Sequence, residues 1–274
     1  MSQFYNAGFT CPTPWLKGGA AFVGALDAYA GGLGGAYSVR RRLLASYDGA
    51  LLRVRRSSDS TELDIGFTAT GAVNVSDFSA FVGGGTGYVV KIYDQSGNGF
   101  DKAQSSGSAQ PVITMSGSGS DAAYACTVAK SLVIPSMNPQ LLVGSSEGVI
   151  ILKLNPAGST GRPLAGVSNA TLNIWATNGG TIYFDYGGFT SGRNSVSAPG
   201  GWANNWHWLR CQRVDKTQKI IVDGSTLKTD TLSATIDGTA QAIYLPQDFV
   251  GSMSEEVCWT DGNNADAREA ALMA

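Results

Sequence analysis

The sequence predicts an all-β protein: an antiparallel β-sandwich with one or two short helices. Short β-favouring runs separated by Gly, Ser and Asn turns occupy most of the chain. Glycine accounts for 36 of 274 residues, roughly twice its usual share of about 7%. Strands do not alternate with long amphipathic helices, so a doubly wound α/β fold is disfavoured.

Composition narrows the class further. Charged residues make up 15% of the chain and hydrophobic residues 43%; 19 Lys+Arg stand against 21 Asp+Glu, a net charge of −2. Such a chain lacks the basic face that nucleic acid requires, and it is too apolar to be disordered. The glycines have no three-residue period, which excludes a collagen helix. No apolar run is long enough for a membrane span. Met1 to Thr10 lacks the basic and apolar regions of a secretory signal, so synthesis in the cytoplasm without processing is expected. The cysteines, Cys11, Cys126, Cys211 and Cys258, form no CxxC pair. No metal site and no cofactor are therefore expected, and free buried thiols are the default. A Cys211–Cys258 bridge stays open should their strands be neighbours.

Taken in order, residues 1–35 read as an N-terminal docking arm. Its Gly18–Gly35 stretch is small and apolar and would gain order against a partner. Residues 36–274 form the sandwich. Residues 37–47 read as a short helix or turn. In Ala50–Arg56, Leu52 and Val54 alternate with Arg53 and Arg55, which gives one buried and one wet face. Glu62–Phe67 is the next strand, Gly71–Phe81 a weak link, and Tyr88–Tyr93 a strong strand closed by Asp94–Gly99. Shorter strands are expected at Pro111–Met115, Ala122–Val128 and Ser131–Ile134. Gly148–Leu154 is almost wholly apolar, as befits a central strand covered on both faces. Pro163–Val167, Thr171–Thr177, Thr181–Tyr186, His207–Val214, Lys219–Val222, Ala240–Leu245 and Val250–Trp259 complete the strands. Asn264–Met273 is rich in Ala and Glu and predicts a closing helix, with Asn264 or Asp266 as N-cap.

Several chemistry-bearing residues have structural readings. Glu255 and Glu256 are consecutive, so on a strand they point to opposite faces. Asp94 caps a turn through its own backbone, and Asp223 precedes Gly224 in a hairpin turn. His207, the only histidine, lies between Trp206 and Trp208 and reads as a packed residue. No G-x-S-x-G elbow exists. Arg40, Arg41 and Arg42 with Arg53, Arg55 and Arg56 form the densest charge cluster, a solvated face or a surface for an acidic partner. Aromatic rings beside Asn, Asp and Arg suit the CH faces and hydroxyls of sugars. Asp185, Tyr186, Arg193, Trp202 and Asn204 are the candidate carbohydrate-binding residues, served by an exposed Phe189–Asn205 loop. The competing reading packs Trp206 and Trp208 into the core, with Trp202 closing a loop.

Two stretches carry a family resemblance. AYSVRRRLLASYDGALLRVRRSSDSTELDIGF from Ala36, followed by IYDQSGNGFDKAQ ending at Gln104, resembles the N-terminal half of the fungal α-L-arabinofuranosidase B catalytic domain. Trp206–Thr226 and Phe249–Met273 are similar to the paired strands and closing helix of laminin-G-like and concanavalin-A-like lectin domains. Both resemblances imply a concanavalin A-like jelly-roll. The RVRRSSD and YDQSGNG strings are also similar to modules of tailed-bacteriophage virion proteins.

Each resemblance implies a function. Glycoside hydrolysis needs two carboxyl groups beside the scissile bond. Aligned on the arabinofuranosidases, Leu172 occupies the position of the nucleophilic Glu, and Asp248 is the carboxylate nearest the family acid. With Leu172 there, the expectation is a non-enzymatic bacteriophage virion structural protein (decoration, spike or fibre component), lectin-like and touching host-surface glycan. It would contact other virion proteins through the arm and form a homo-oligomer. The alternative is a glycoside hydrolase of α-L-arabinofuranosidase type that uses Asp248 and a second carboxylate.

Overall fold

The computed structural model describes residues 22–157, 160–166 and 172–274. In chain order its strands are β1 Leu33–Ser38, β2 Leu52–Arg56, β3 Glu62–Ile65, β4 Gly87–Ile92, β5 Lys102–Ala103, β6 Val112–Thr114, β7 Ala123–Cys126, β8 Val133–Met137, β9 Gly148–Pro156 and β10 Thr160–Gly161. They continue with β11 Leu164–Gly166, β12 Leu172–Asn178, β13 Thr181–Tyr186, β14 Arg193–Ser197, β15 His207–Val214, β16 Thr217–Val222, β17 Ser225–Thr231, β18 Gln241–Tyr244 and β19 Gly251–Trp259. The α-helices are α1 Val75–Val82, α2 Gln140–Val143 and α3 Ala265–Met273. The ladders among the described residues are antiparallel, as the sequence predicts.

One path of pairing runs β17-β16-β15-β9-β19. Strand β19 then pairs with β1 along its C-terminal half and with β7 along its N-terminal half. From β7 the ladder continues through β6, β4, β5, β8, β18, β11, β12 and β13 to β14. The two ends meet where Asn194 Nδ2 donates to Gln218 O at 3.2 Å and Gln218 Nε2 donates to Gly192 O at 3.1 Å. The sheet thus folds over on itself, and the predicted sandwich forms.

Alternation along each strand fills the space between the layers. Ile150, Leu152, Leu154, Leu209 and Cys211 face Leu172, Ile174, Phe184 and Tyr186 in one continuous core. A second cluster lies on the back of β9 and β19. There Val149, Ile151, Val257 and Trp259 are covered by Leu26, Leu43 and Leu44 and by Ala265 and Leu272 of α3. Most of β9 is therefore buried on both sides, which accounts for its apolar run.

Some elements differ from the sequence reading. Residues 37–47 contain no helix, but the alternative turn is present at Ala45 and Ser46, where the Tyr47 N–H donates to Leu44 O at 3.2 Å. The end of β1 pairs with β19, Tyr37 opposite Glu256 and Ser38 opposite Glu255, and an irregular segment follows. Val39, Leu43 and Leu44 are buried by tertiary contacts, and their spacing imitates a helical period. The weak link at 71–81 contains α1, where the Asp77 N–H donates to Asn74 Oδ1 at 3.2 Å and Phe78 and Val82 are buried. Helix α3 forms where expected, but Asn264 is left-handed and its side chain makes no cap bond. The Phe189–Asn205 segment contains β14. Polar β17 and the two-residue β5 have no apolar alternation to announce them.

Cys211 and Cys258 both stand opposite Ile150, one on each side of β9. Two strand spacings, about 9–10 Å, separate them, beyond the reach of a disulfide. They are free and buried, as is Cys126; Cys11 lies outside the described residues. Of the arm, residues 1–21 also lie outside them. Leu26 is buried and β1 begins at Leu33, before residue 36.

Candidate functional site

The site is built on the outer face of β12, β13 and β14. Leu172, Ile174 and Ala176 point into the core, so Asn173 and Trp175 point outward. On β13, Ile182, Phe184 and Tyr186 point inward and Tyr183 and Asp185 outward. The register places Asn173 opposite Asp185 and Trp175 opposite Tyr183, with Arg193 of β14 on the other side of Asp185. Five outward residues on three strands thus share one patch.

Asp185 is fully buried. Arg193 closes on it with a two-pronged bridge, Nε to Oδ1 at 2.6 Å and a terminal nitrogen to Oδ2 at 2.8 Å. The same guanidinium lies 4.5 Å from the Tyr183 ring centroid and 4.8 Å from that of Phe189. Burial pushes the Asp185 carboxyl above its ordinary range, and the hydrogen bond and charge of Arg193 oppose that rise. Asn173, also buried, has no hydrogen-bond partner on either amide atom among the described residues.

A second carboxylate is linked to Trp175 through Arg162. Arg162 and Gln247 exchange backbone hydrogen bonds of 3.0 and 2.8 Å. The Arg162 guanidinium lies 4.9 Å from the Trp175 ring centroid and bonds Asp248 Oδ2 at 2.9 Å. Asp248 has φ +52° and a side chain 48% exposed. Asp185 and Asp248 are therefore both linked to Trp175, one through the sheet register and the other through Arg162.

The five candidate sugar-binding residues are not brought together. Asp185 and Arg193 face outward on β13 and β14. Tyr186 points inward, where its hydroxyl donates to Val143 O at 2.7 Å. Trp202 is 3% exposed, and its indole N–H donates to Ala176 O at 2.8 Å; it offers no open platform. Exposed Asn204 donates its backbone N–H to Pro156 O at 2.7 Å. Of the competing reading, Trp208 is buried within the second cluster and Trp206 is 42% exposed. Arg162 escaped sequence reading because its link to Asp248 spans 86 positions and no local pattern marks it.

The structural readings of other residues hold. Asp94 accepts backbone N–H groups from Ala36, Ser96 and Phe100. Asp223, at φ +50°, accepts from Trp208 N. His207 stacks on Trp202 at 4.8 Å and bonds Asp223 Oδ2 at 2.7 Å. Glu255 and Glu256 do point to opposite faces: Glu255 meets Arg40 and Arg41 outside, and Glu256 meets Lys102 and Tyr124 inside. Among the described residues, no group of three or more His, Cys, Asp or Glu could hold a metal ion, and no helix is long and apolar enough to cross a membrane.

The stretch with a family match lies N-terminal to this site. Residues 27–138 match the family model described as "Alpha-L-arabinofuranosidase B, catalytic". The alpha-L-arabinofuranosidase B of Emericella nidulans is 43% identical over 70 residues, which cover 25% of this chain and 14% of that protein. A GH54 α-L-arabinofuranosidase soaked with a cyclic sulfate inhibitor superposes with a TM-score of 0.66 at 18% identity, covering 92% of this chain and 64% of that one. An arabinofuranosidase complexed with arabinofuranosyl-alpha-1,2-xylobiose gives 0.64 at 18% identity with the same coverage. The chain thus spans under two thirds of the length of these relatives.

These matches overturn the expectation of a non-enzymatic bacteriophage virion protein, since sequence and fold both point to arabinofuranosidases. The Leu172 side chain is buried in the inter-sheet core, so this position faces the packing between the layers and not the outer patch of Asp185 and Trp175. The chain shares the β-sandwich of the GH54 α-L-arabinofuranosidases across 92% of its length, and its residues 27–138 match their catalytic-domain model.

Proposed function

We propose that this chain is a glycoside hydrolase of α-L-arabinofuranosidase type acting at the outer face of β12–β14. The observation that carries the reading is that Asp185 shares the outer patch of Trp175 while Arg162, over the Trp175 ring, holds the Asp248 carboxylate. Hydrolysis requires one carboxyl to protonate the leaving oxygen while a second attacks the anomeric carbon or activates water. Asp185 has the environment of the acid, because its burial favours the protonated form. Asp248, half-exposed and oriented by Arg162, serves as nucleophile or base. The rings of Trp175 and Tyr183 present apolar surface to the sugar. Arg193, whose side chain is 30% exposed, turns from Asp185 toward a sugar hydroxyl when substrate enters and uncovers the acid. The proton passes from Asp185 to the departing oxygen, and water supplies the hydroxyl of the released arabinose and restores the proton.

The test is release of 4-nitrophenol from 4-nitrophenyl α-L-arabinofuranoside. Asp248→Asn is expected to lower kcat at least about a hundredfold with the melting temperature retained. Asp185→Asn is expected to lose less on an aryl substrate whose leaving group needs little protonation than on an alkyl one. Absence of turnover by the wild-type chain, or full turnover by Asp248→Asn, overturns the reading.

A further inference from the structure

The outer face of the other layer holds a second polar groove that the hydrolase reading does not use. A single cross-strand row runs Ser38, Glu255, Lys153, Trp208 over β1, β19, β9 and β15. At one end, two arginines converge on the buried Glu255 carboxylate: Arg40 Nε and a terminal nitrogen reach Oε1 at 3.0 and 2.9 Å, and Arg41 Nε reaches the same oxygen at 2.9 Å. One carboxylate thus faces two guanidiniums, and Lys153 adds a third cation. Among the described residues, no carboxylate is in ion-pair contact with Lys153. Its ammonium lies 5.5 and 6.0 Å from the ring centroids of Trp208 and Trp206. Burial and the positive charge of Arg40 and Arg41 hold its pKa down, and Glu255 opposes this.

Above this row lies a groove of about 510 Å³ lined by Arg40, Arg41, Lys153 and Trp208. A hollow of about 200 Å³ shares Arg40, Ser120 and Lys153 with it and is bordered by Trp206. Volumes of this order suit a small ligand. Asp121, at the rim of the hollow, is hydrogen-bonded to Ser116. Excess positive charge calls for an anion, and a half-exposed indole beside it calls for a ring with an apolar CH face. A simple phosphate or sulfate would use the cations and leave the indole idle.

We infer that this groove binds a carboxylate-bearing sugar, a hexuronate unit of an acidic polysaccharide, with the carboxylate at Lys153 and Arg40 and the sugar ring against Trp206. This stands independently of the hydrolase reading, because it uses a different layer and shares no residue with Asp185, Asp248 or Trp175.

The experiment titrates the full chain with an oligosaccharide carrying one glucuronate and with the same oligosaccharide reduced at its carboxyl, read by calorimetry and indole fluorescence. The acidic form is expected to bind and the reduced form to bind at least about tenfold more weakly, with affinity falling as salt rises. Lys153→Met and Trp206→Ala are each expected to lose about tenfold while melting as the wild type and leaving arabinofuranoside turnover unchanged. Equal binding of the two sugars, no binding of either, wild-type affinity in both variants, or displacement by sulfate at equal concentration overturns the inference.

Discussion

Asp185 and Arg193 stand directly opposite each other on β13 and β14, and two guanidinium nitrogens close on two carboxylate oxygens at 2.6 and 2.8 Å. The carboxylate is fully buried, and the arginine side chain is 30% exposed. Removing the cation alone strands a buried acid. Arg193→Met is therefore expected to cost about 2–4 kcal/mol at neutral pH, with the loss shrinking in acid as Asp185 takes up a proton. Denaturant melts at two pH values check this; a pH-independent loss would show that Arg193 contributes packing alone.

Under the proposed hydrolase reading, the same carboxyl would set a pH limit on turnover. Burial raises its pKa above the ordinary carboxyl range, so the protonated acid persists to higher pH than a free Asp allows, and it is lost as pH rises through the raised value. The profile of kcat/KM for an alkyl arabinofuranoside is expected to fall on its alkaline side at that raised value. Asp185→Asn is expected to remove this limb and retain any acid limb. An alkaline limb that persists in Asp185→Asn assigns the proton to another group.

Trp202 tests the placement of the 189–205 segment. As an open sugar platform it would be dispensable for stability. With 3% exposure, a hydrogen bond to Ala176 O and the His207 ring stacked against it, Trp202→Ala is expected to cost about 3–5 kcal/mol. Thermal or denaturant unfolding measures this, and an unchanged melting temperature would contradict the packing.

Inside the sandwich, Lys102 and Glu256 form an ion pair with both side chains fully buried, and Tyr124 contacts both. Burial lowers the pKa of Lys102. Lys102→Met alone leaves Glu256 uncompensated and is expected to cost about 3–5 kcal/mol. The double variant Lys102→Met with Glu256→Met is expected to recover most of that loss. A double-mutant cycle measured by urea denaturation separates the pair energy from the cost of burial.

Much of the fold was legible in local pattern. Thr181–Tyr186 and His207–Val214 form strands at the predicted bounds because side chains alternate with a period of two whatever the partner strand. The apolar run of β9 announced its coverage, and Asp94 its turn. Strand β14 was not legible: its RNSVS sequence is held by Thr181–Asp185 of β13 and has little hydrophobic pattern of its own. Residues 39–44 misled because their apolar spacing fits a helix, while Val39 is buried in the inter-sheet core and Leu43 and Leu44 against β19, α3 and Leu26.

By itself, the sequence determined the all-β class of the fold, the positions of most strands, the opposite facing of Glu255 and Glu256, and the structural work of Asp94 and Asp223. These follow from interactions within a few residues. Only the tertiary structure decided which face of β12 lies inside, and hence that Leu172 fills core while Trp175 points to the outer face. It also brought Arg162 to Asp248 and set Lys153 between Glu255 and Trp208. Alternation fixes two faces but does not say which of them another layer will cover; that choice belongs to strands far apart in the chain, whose pairing creates the inside.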